Sequence, residues 1–135
     1  MLQVLAFAQP RPKSATILVV DDEPDICETV KDLLESCIAG AHVRTARSGR
    51  AALELLTREH VDLIVTDYKM PGMNGVQLLS AAEKVAPGLP HILITAFDPE
   101  LVRELGSRAA RENIVRKPFD GAKLVDQVER ALAAV

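Results

Sequence analysis

Apolar residues recur along this chain in short continuous runs that alternate with stretches of helical periodicity. Thr16-Ile17-Leu18-Val19-Val20 is uninterrupted and rich in β-branched residues, the pattern of a strand covered on both faces. Comparable runs lie at Ala41–Ala46 (the weakest), Asp62–Thr66, His91–Thr95 and Asn113–Arg116. Between them the spacing changes to that of amphipathic helices. Pro24 opens the first, where its missing N–H costs nothing; Ile26, Val30, Leu33, Leu34 and Cys37 line one face before Gly40. Ser48 caps a second, carrying Ala51, Ala52, Leu55 and Leu56. Val76, Leu78, Leu79 and Ala82 mark a third that stops near Pro87-Gly88. Pro99 to Ala110 forms a fourth around Leu101, Val102, Leu105 and Ala109, weakened by Gly106, and Asp120 caps a last one with Leu124, Val125, Val128 and Leu132.

Strict alternation of this kind predicts an α/β architecture: a (βα)5, doubly wound parallel sheet of five strands with helices on both faces, because parallel strands need crossover connections. Right-handed crossovers put the C-terminal ends of all the strands on one edge, where such sheets bind their ligands. The residues at those ends are chemically selective. The first strand runs into Asp21-Asp22-Glu23, the third into Asp67, the fourth ends at Thr95 and the fifth runs into Arg116-Lys117-Pro118. Clustered carboxylates resist ionising together unless a cation shares the site. Oxygen donors without a Cys/His set suit Mg²⁺ rather than zinc. A carboxylate beside a metal and a lysine can act as nucleophile toward a phosphoryl group, with the lysine and the Thr95 hydroxyl available to its oxygens. The loop after Asp67, Tyr68-Lys69-Met70-Pro71-Gly72-Met73-Asn74-Gly75, is punctuated by proline and glycine, which suits a segment that must hold a carboxylate in place.

Composition narrows the classes. At 135 residues and net charge −3 the chain has the length of one domain and no basic footprint for nucleic acid. Aromatics at 3% leave no stacking platform for single strands. Cys27 and Cys37 lie on one helix, too far apart to bridge, and read as core or boundary residues of a reduced, cytoplasmic protein. No apolar run is long enough to span a membrane. Residues 1–14, apolar to Ala8 and then proline-punctuated, are expected to be a flexible arm ahead of a domain over residues 15–135. His42, His60 and His91 show no ligand or relay spacing.

Four segments, ILVVDDEP, TDYKMPGMNG, ILITAF and VRKPF, occur in an order and spacing that resembles the receiver domain of two-component response regulators, the CheY-like fold. The resemblance runs from about Thr16 to the C-terminus and implies the strand order 2-1-3-4-5. It implies that Asp67 is the phosphoacceptor and that Asp21 and Asp22 are the acidic pair, Asp22 the direct Mg²⁺ ligand and Asp21 acting through water. The Lys69 backbone carbonyl is a further ligand, Thr95 the switch hydroxyl and Lys117 the phosphate-binding lysine, with Pro118 behind a cis peptide bond. It also implies phosphoryl transfer from a sensor histidine kinase or a histidine phosphotransfer protein, and a partner face on the fourth helix, fifth strand and fifth helix. That face includes Phe97, Leu101, Arg103, Glu104, Arg108 and Arg111, and it serves a downstream protein target, a homodimer or onward phosphotransfer. With the chain stopping inside its last helix, a docked protein rather than DNA is the expected output.

One position departs from the pattern. Three residues before the lysine, where the family often carries a Tyr or Phe that partners the switch threonine, stands Ile114. Phe97, two residues past Thr95, is expected to flank the phosphate and slow its loss to water. The departure keeps open an alternative class, a receiver-like interaction or dimerisation module with vestigial phosphorylation. A phosphatase of the haloacid-dehalogenase type is rejected, since it expects an acid where Lys69 stands.

Overall fold

The computed structural model describes residues 14–96, 98–106 and 113–134. The expected arm as far as Lys13, Phe97, Arg108, Arg111 and the expected last turn of the fourth helix to Ala110 lie outside the described residues. Five strands, β1 (Ala15–Val20), β2 (Ala41–Ala46), β3 (Leu63–Asp67), β4 (His91–Thr95) and β5 (Ile114–Arg116), alternate with helices α1 (Pro24–Cys37), α2 (Gly49–Arg58), α3 (Gly75–Val85), α4 (Pro99–Leu105) and α5 (Gly121–Ala133). The sheet is parallel throughout in the order β2-β1-β3-β4-β5.

The two buried faces explain the uninterrupted apolar runs. Ile17, Val19, Leu63, Val65, Ile92 and Ile94 point to the side covered by α1 and α5, where Val30, Leu34, Leu124 and Val128 meet them. Leu18, Val20 and Ile64 point to the opposite side, against Leu55 and Leu56 of α2 and Leu78 of α3. A third cluster closes the β4 side of that face: Tyr68, Val76, Leu93, Leu101 and Leu105, with Ile114 packed against it. Truncating one of the fully buried residues, such as Leu124, removes apolar contact and leaves a cavity, a change that costs about 2–5 kcal/mol.

Local chemistry sets the element ends. Ser48 Oγ accepts from the Ala51 N–H, Asp98 from Glu100 and Asp120 from Ala122, each supplying an acceptor to an orphan donor of a first turn. Asn74 and Gln77 form a reciprocal capping box at α3. Several boundaries differ from the apolar runs: β1 begins at Ala15 rather than Thr16, β5 at Ile114 rather than Asn113, and β3 and α4 differ for identifiable reasons. β3 begins one residue later than Asp62, whose carboxylate accepts the Thr16 N–H, and runs through Asp67, because the Tyr68 N–H continues the ladder to the Ile94 carbonyl. Among the described residues α4 stops at Leu105, where Gly106 takes φ 56°, a conformation a side chain resists. Cys27 and Cys37 are both free, Cys27 buried and Cys37 exposed at the end of α1.

Candidate functional site

β1 and β3 are neighbours in the sheet, so the residues that leave their C-terminal ends meet. Carboxylate oxygens of Asp21, Asp22 and Asp67 all lie within 4.8 Å of one another. β5 stands two strands away from β3, and the long Lys117 side chain spans the gap. Its Nζ lies 3.2 Å from Asp67 Oδ1 and 3.7 Å from Asp21 Oδ2. The Lys117–Pro118 peptide bond is cis, as the resemblance implies.

The electrostatics of this cluster are unbalanced. Burial pushes the Asp67 carboxyl up from its ordinary value; the Lys117 charge and hydrogen bond and the Tyr68 N–H oppose the shift without cancelling it, and Asp22 adds to it. Asp21 is raised in the same way, by burial first, against the pull of the Glu23 N–H and with repulsion from Asp67. Burial works against the Lys117 charge, yet Asp67 and Asp21 more than offset it and raise that group. The two sides of the ion pair thus answer differently: the lysine is satisfied and the acids are not. Three carboxylates against one ammonium leave a formal charge of −2. An all-oxygen donor set with that deficit fits a hard divalent cation such as Mg²⁺.

A consequence follows for the metal-free protein. A carboxyl whose folded pKa is raised costs stability above that pKa, and the cost disappears as pH falls below the unfolded value of 3.8. Asp67→Asn, a neutral isostere, is expected to raise the melting temperature without Mg²⁺ at pH 7 by about 3 °C. The gain should shrink toward pH 4, and Mg²⁺ should stabilise the parent but not the variant. Thermal melts at the two pH values check this, and a lower melting temperature for the metal-free variant at pH 7 would contradict it.

The remaining candidates fall into two groups. Thr95 ends β4, buried, with its Oγ1 donating to the Ala96 carbonyl at 2.7 Å rather than toward Asp67. Lys69 follows Tyr68 in the loop with an exposed side chain. Ile114 is half-buried in the third cluster. Leu101, expected on the partner face, is 3% exposed and belongs to the same cluster, because the short α4 turns it inward. Val102, at 53% exposed, takes the outward position beside Arg103 and Glu104.

Three supporting residues escaped the sequence reading. Cys27 Sγ donates to the Asp21 carbonyl at 3.3 Å, so this thiol braces the acidic pair's backbone. Burial raises its pKa and keeps it a thiol. The Glu23 N–H donates to Asp21 Oδ1 at 2.9 Å and fixes that carboxylate as the chain turns into α1. Tyr68, one residue past Asp67, is buried and donates its hydroxyl to Glu104 of α4 at 2.9 Å. An Asp-x-Glu spacing and a Cys near the start of a helix carry the first two only weakly. The third pairs residues 36 apart, with no local pattern to reveal it.

The sequence model of the response regulator receiver domain matches residues 17–129. The transcriptional regulatory protein GlrR of Escherichia coli is 35% identical over 120 residues, which are 89% of this chain and 27% of GlrR. CpxR of the same species, also a transcriptional regulatory protein, is 35% identical over 86% of this chain and 48% of its own length. This chain therefore spans about a quarter to a half of those relatives. It spans 87% of an uncharacterized 14.6 kDa protein of Leptolyngbya boryana that is 36% identical. Among solved structures, the chemotaxis protein CheY4 of Vibrio cholerae superposes with a TM-score of 0.76 at 29% identity, covering 87% of this chain and 98% of that one. The receiver domain of a histidine kinase from Syntrophus aciditrophicus gives 0.78 at 34% identity, covering 90% and 92%. No helix among the described residues is long and apolar enough to cross a membrane. By the family match, the relatives, the CheY-like strand order and the acidic cluster with its lysine, this chain belongs to the response regulator receiver domain family.

Proposed function

We propose that this receiver takes a phosphoryl group on Asp67 from a histidine kinase or a histidine phosphotransfer protein, and that the acyl phosphate alters the α4–β5–α5 side for a protein partner. The observation that carries this reading is the unbalanced cluster: Asp67 beside Lys117, with Asp21 and Asp22 leaving room for one divalent cation. Asp22, with Asp67 and the Lys69 carbonyl, would hold Mg²⁺, and Asp21 would act through water. The Glu23 N–H already engages one Asp21 oxygen, which supports that division. Bound there, Mg²⁺ would supply charge neutralisation for the donor phosphate and the two acids.

Asp67 then attacks phosphorus with a carboxylate oxygen. A new P–O bond forms as the bond from phosphorus to the phosphohistidine nitrogen breaks; the imidazole keeps the electron pair and takes a proton from solvent. Lys117 donates to a phosphoryl oxygen as the pair with Asp67 loosens. Thr95, one strand over, offers its hydroxyl to another once it leaves the Ala96 carbonyl. Residues 15–135 make up the receiver unit in this reading, and the small relative from Leptolyngbya boryana supports a single-domain form.

The test uses a small acyl-phosphate donor and intact mass. With Mg²⁺ the protein should gain one phosphoryl group, and without Mg²⁺ essentially none. A folded protein that binds Mg²⁺ and gains nothing would overturn the proposal and favour a module that works by docking alone.

A further inference from the structure

Ile114 stands where the family often places the aromatic partner of its switch threonine, yet an aromatic hydroxyl does sit between the acceptor and α4. It arrives from another strand. Tyr68 follows Asp67 directly, and its backbone is held on both sides: its N–H donates to the Ile94 carbonyl at 2.9 Å and its carbonyl accepts from Gly75 at 2.7 Å. It belongs to one buried cluster with Leu101 and Leu105 of α4, and Ile114 of β5 packs against that cluster. Its hydroxyl ends on Glu104 Oε1 at 2.9 Å, an oxygen that also accepts from Asn74 Nδ2 at 3.2 Å. Asn74 caps α3 at the far end of the acceptor loop. Glu104 therefore gathers both ends of the loop that follows Asp67 onto one turn of α4.

We infer that Tyr68 is a positioning residue that links the state of Asp67 to α4 through its hydrogen bond to Glu104. Resting on the phosphoacceptor reading of Asp67, the inference names which contact carries the change outward. A shift of the β3 end moves the Tyr68 backbone with it, since the two residues share a peptide unit. The buried ring cannot swing freely among Leu101, Leu105 and Ile114, so the motion reaches α4 by packing and by the Glu104 bond. Linkage makes the effect reciprocal: whatever frees Glu104 also alters the acceptor end.

The chain contains one tyrosine and no tryptophan, so tyrosine emission reports Tyr68 alone. The experiment follows emission while the full chain is treated with acyl phosphate and Mg²⁺, with phosphoryl uptake read by mass on the same samples. Amide exchange over residues 99–105 is measured for the parent, Tyr68→Phe and Glu104→Gln. The link predicts a clear emission change that tracks phosphoryl uptake in the parent and at least halves in Glu104→Gln. It predicts an exchange change in α4 on phosphorylation that Tyr68→Phe, phosphorylated to the same extent, loses. A parent that is phosphorylated with unchanged emission and unchanged α4 exchange overturns the link while leaving the phosphoacceptor reading intact. Should the parent take up no phosphoryl group, that reading fails by itself. The tether is then judged in the unmodified protein, where faster α4 exchange in Tyr68→Phe supports it and identical exchange overturns it.

Discussion

Lys117→Met is expected to take up phosphoryl groups about 10²–10³-fold more slowly than the parent while binding Mg²⁺ at least as tightly. The lysine ammonium lies 3.2 Å from Asp67 and 3.7 Å from Asp21. In the proposed transfer it would be a preorganised donor for a phosphoryl oxygen, and losing one such donor typically costs a factor of that size. Methionine keeps most of the aliphatic stem and removes only the charge, so the fold should survive. The metal affinity moves the other way because the substitution removes a cation from beside three carboxylates. The two measurements, rate by intact mass and affinity by calorimetry, separate this account from simple damage: a misfolded site would lose both. Unchanged uptake in Lys117→Met would remove the lysine from the chemistry.

Gly75→Ala is expected to destabilise the protein by about 3 kcal/mol, the range of overpacking against a rigid neighbour. A Cβ at position 75 would stand 2.5 Å from the Asp67 carbonyl oxygen, 2.8 Å from Leu93 Cδ1 and 3.0 Å from the Tyr68 Cα. Two of those three atoms are backbone, and they belong to Asp67 and Tyr68, so relief requires moving the acidic cluster itself. Gly49→Ala is the control. Its Cβ would meet only the Met73 side chain, Sδ at 2.5 Å, Cγ at 3.0 Å and Cβ at 3.1 Å, and no backbone atom is among these three nearest contacts. That variant should lose about 1 kcal/mol or less. Denaturant unfolding of the two variants decides the matter, and equal losses would mean that the loop after Asp67 yields as readily as Met73.

Much of this was readable from the chain. The apolar runs mark the strands because each is buried on both faces, and the acids and the lysine at their ends are brought together by the parallel topology alone. The boundaries of β3 and α4 were less legible. A strand end depends on one more ladder bond, here from Tyr68 to Ile94, and a helix end on the conformation that Gly106 adopts. Leu101 has helical spacing, but spacing does not say which side of a short helix meets the sheet. The Tyr68–Glu104 bond joins residues 36 apart, while the bracing of Asp21 by Cys27 and the close approach at Gly75 depend on local geometry that spacing does not fix. They become visible only once the sheet is assembled.

The most direct measurement locates the phosphoryl group. Borohydride reduces an acyl phosphate at its carbonyl carbon and leaves homoserine in place of the phosphorylated aspartate. After treatment with acyl phosphate and Mg²⁺, then borohydride, peptide mass spectrometry should find homoserine at position 67 in the parent and none in Asp67→Asn. Homoserine at Asp21, Asp22 or another carboxylate, or phosphoryl uptake that persists in Asp67→Asn, would contradict the account.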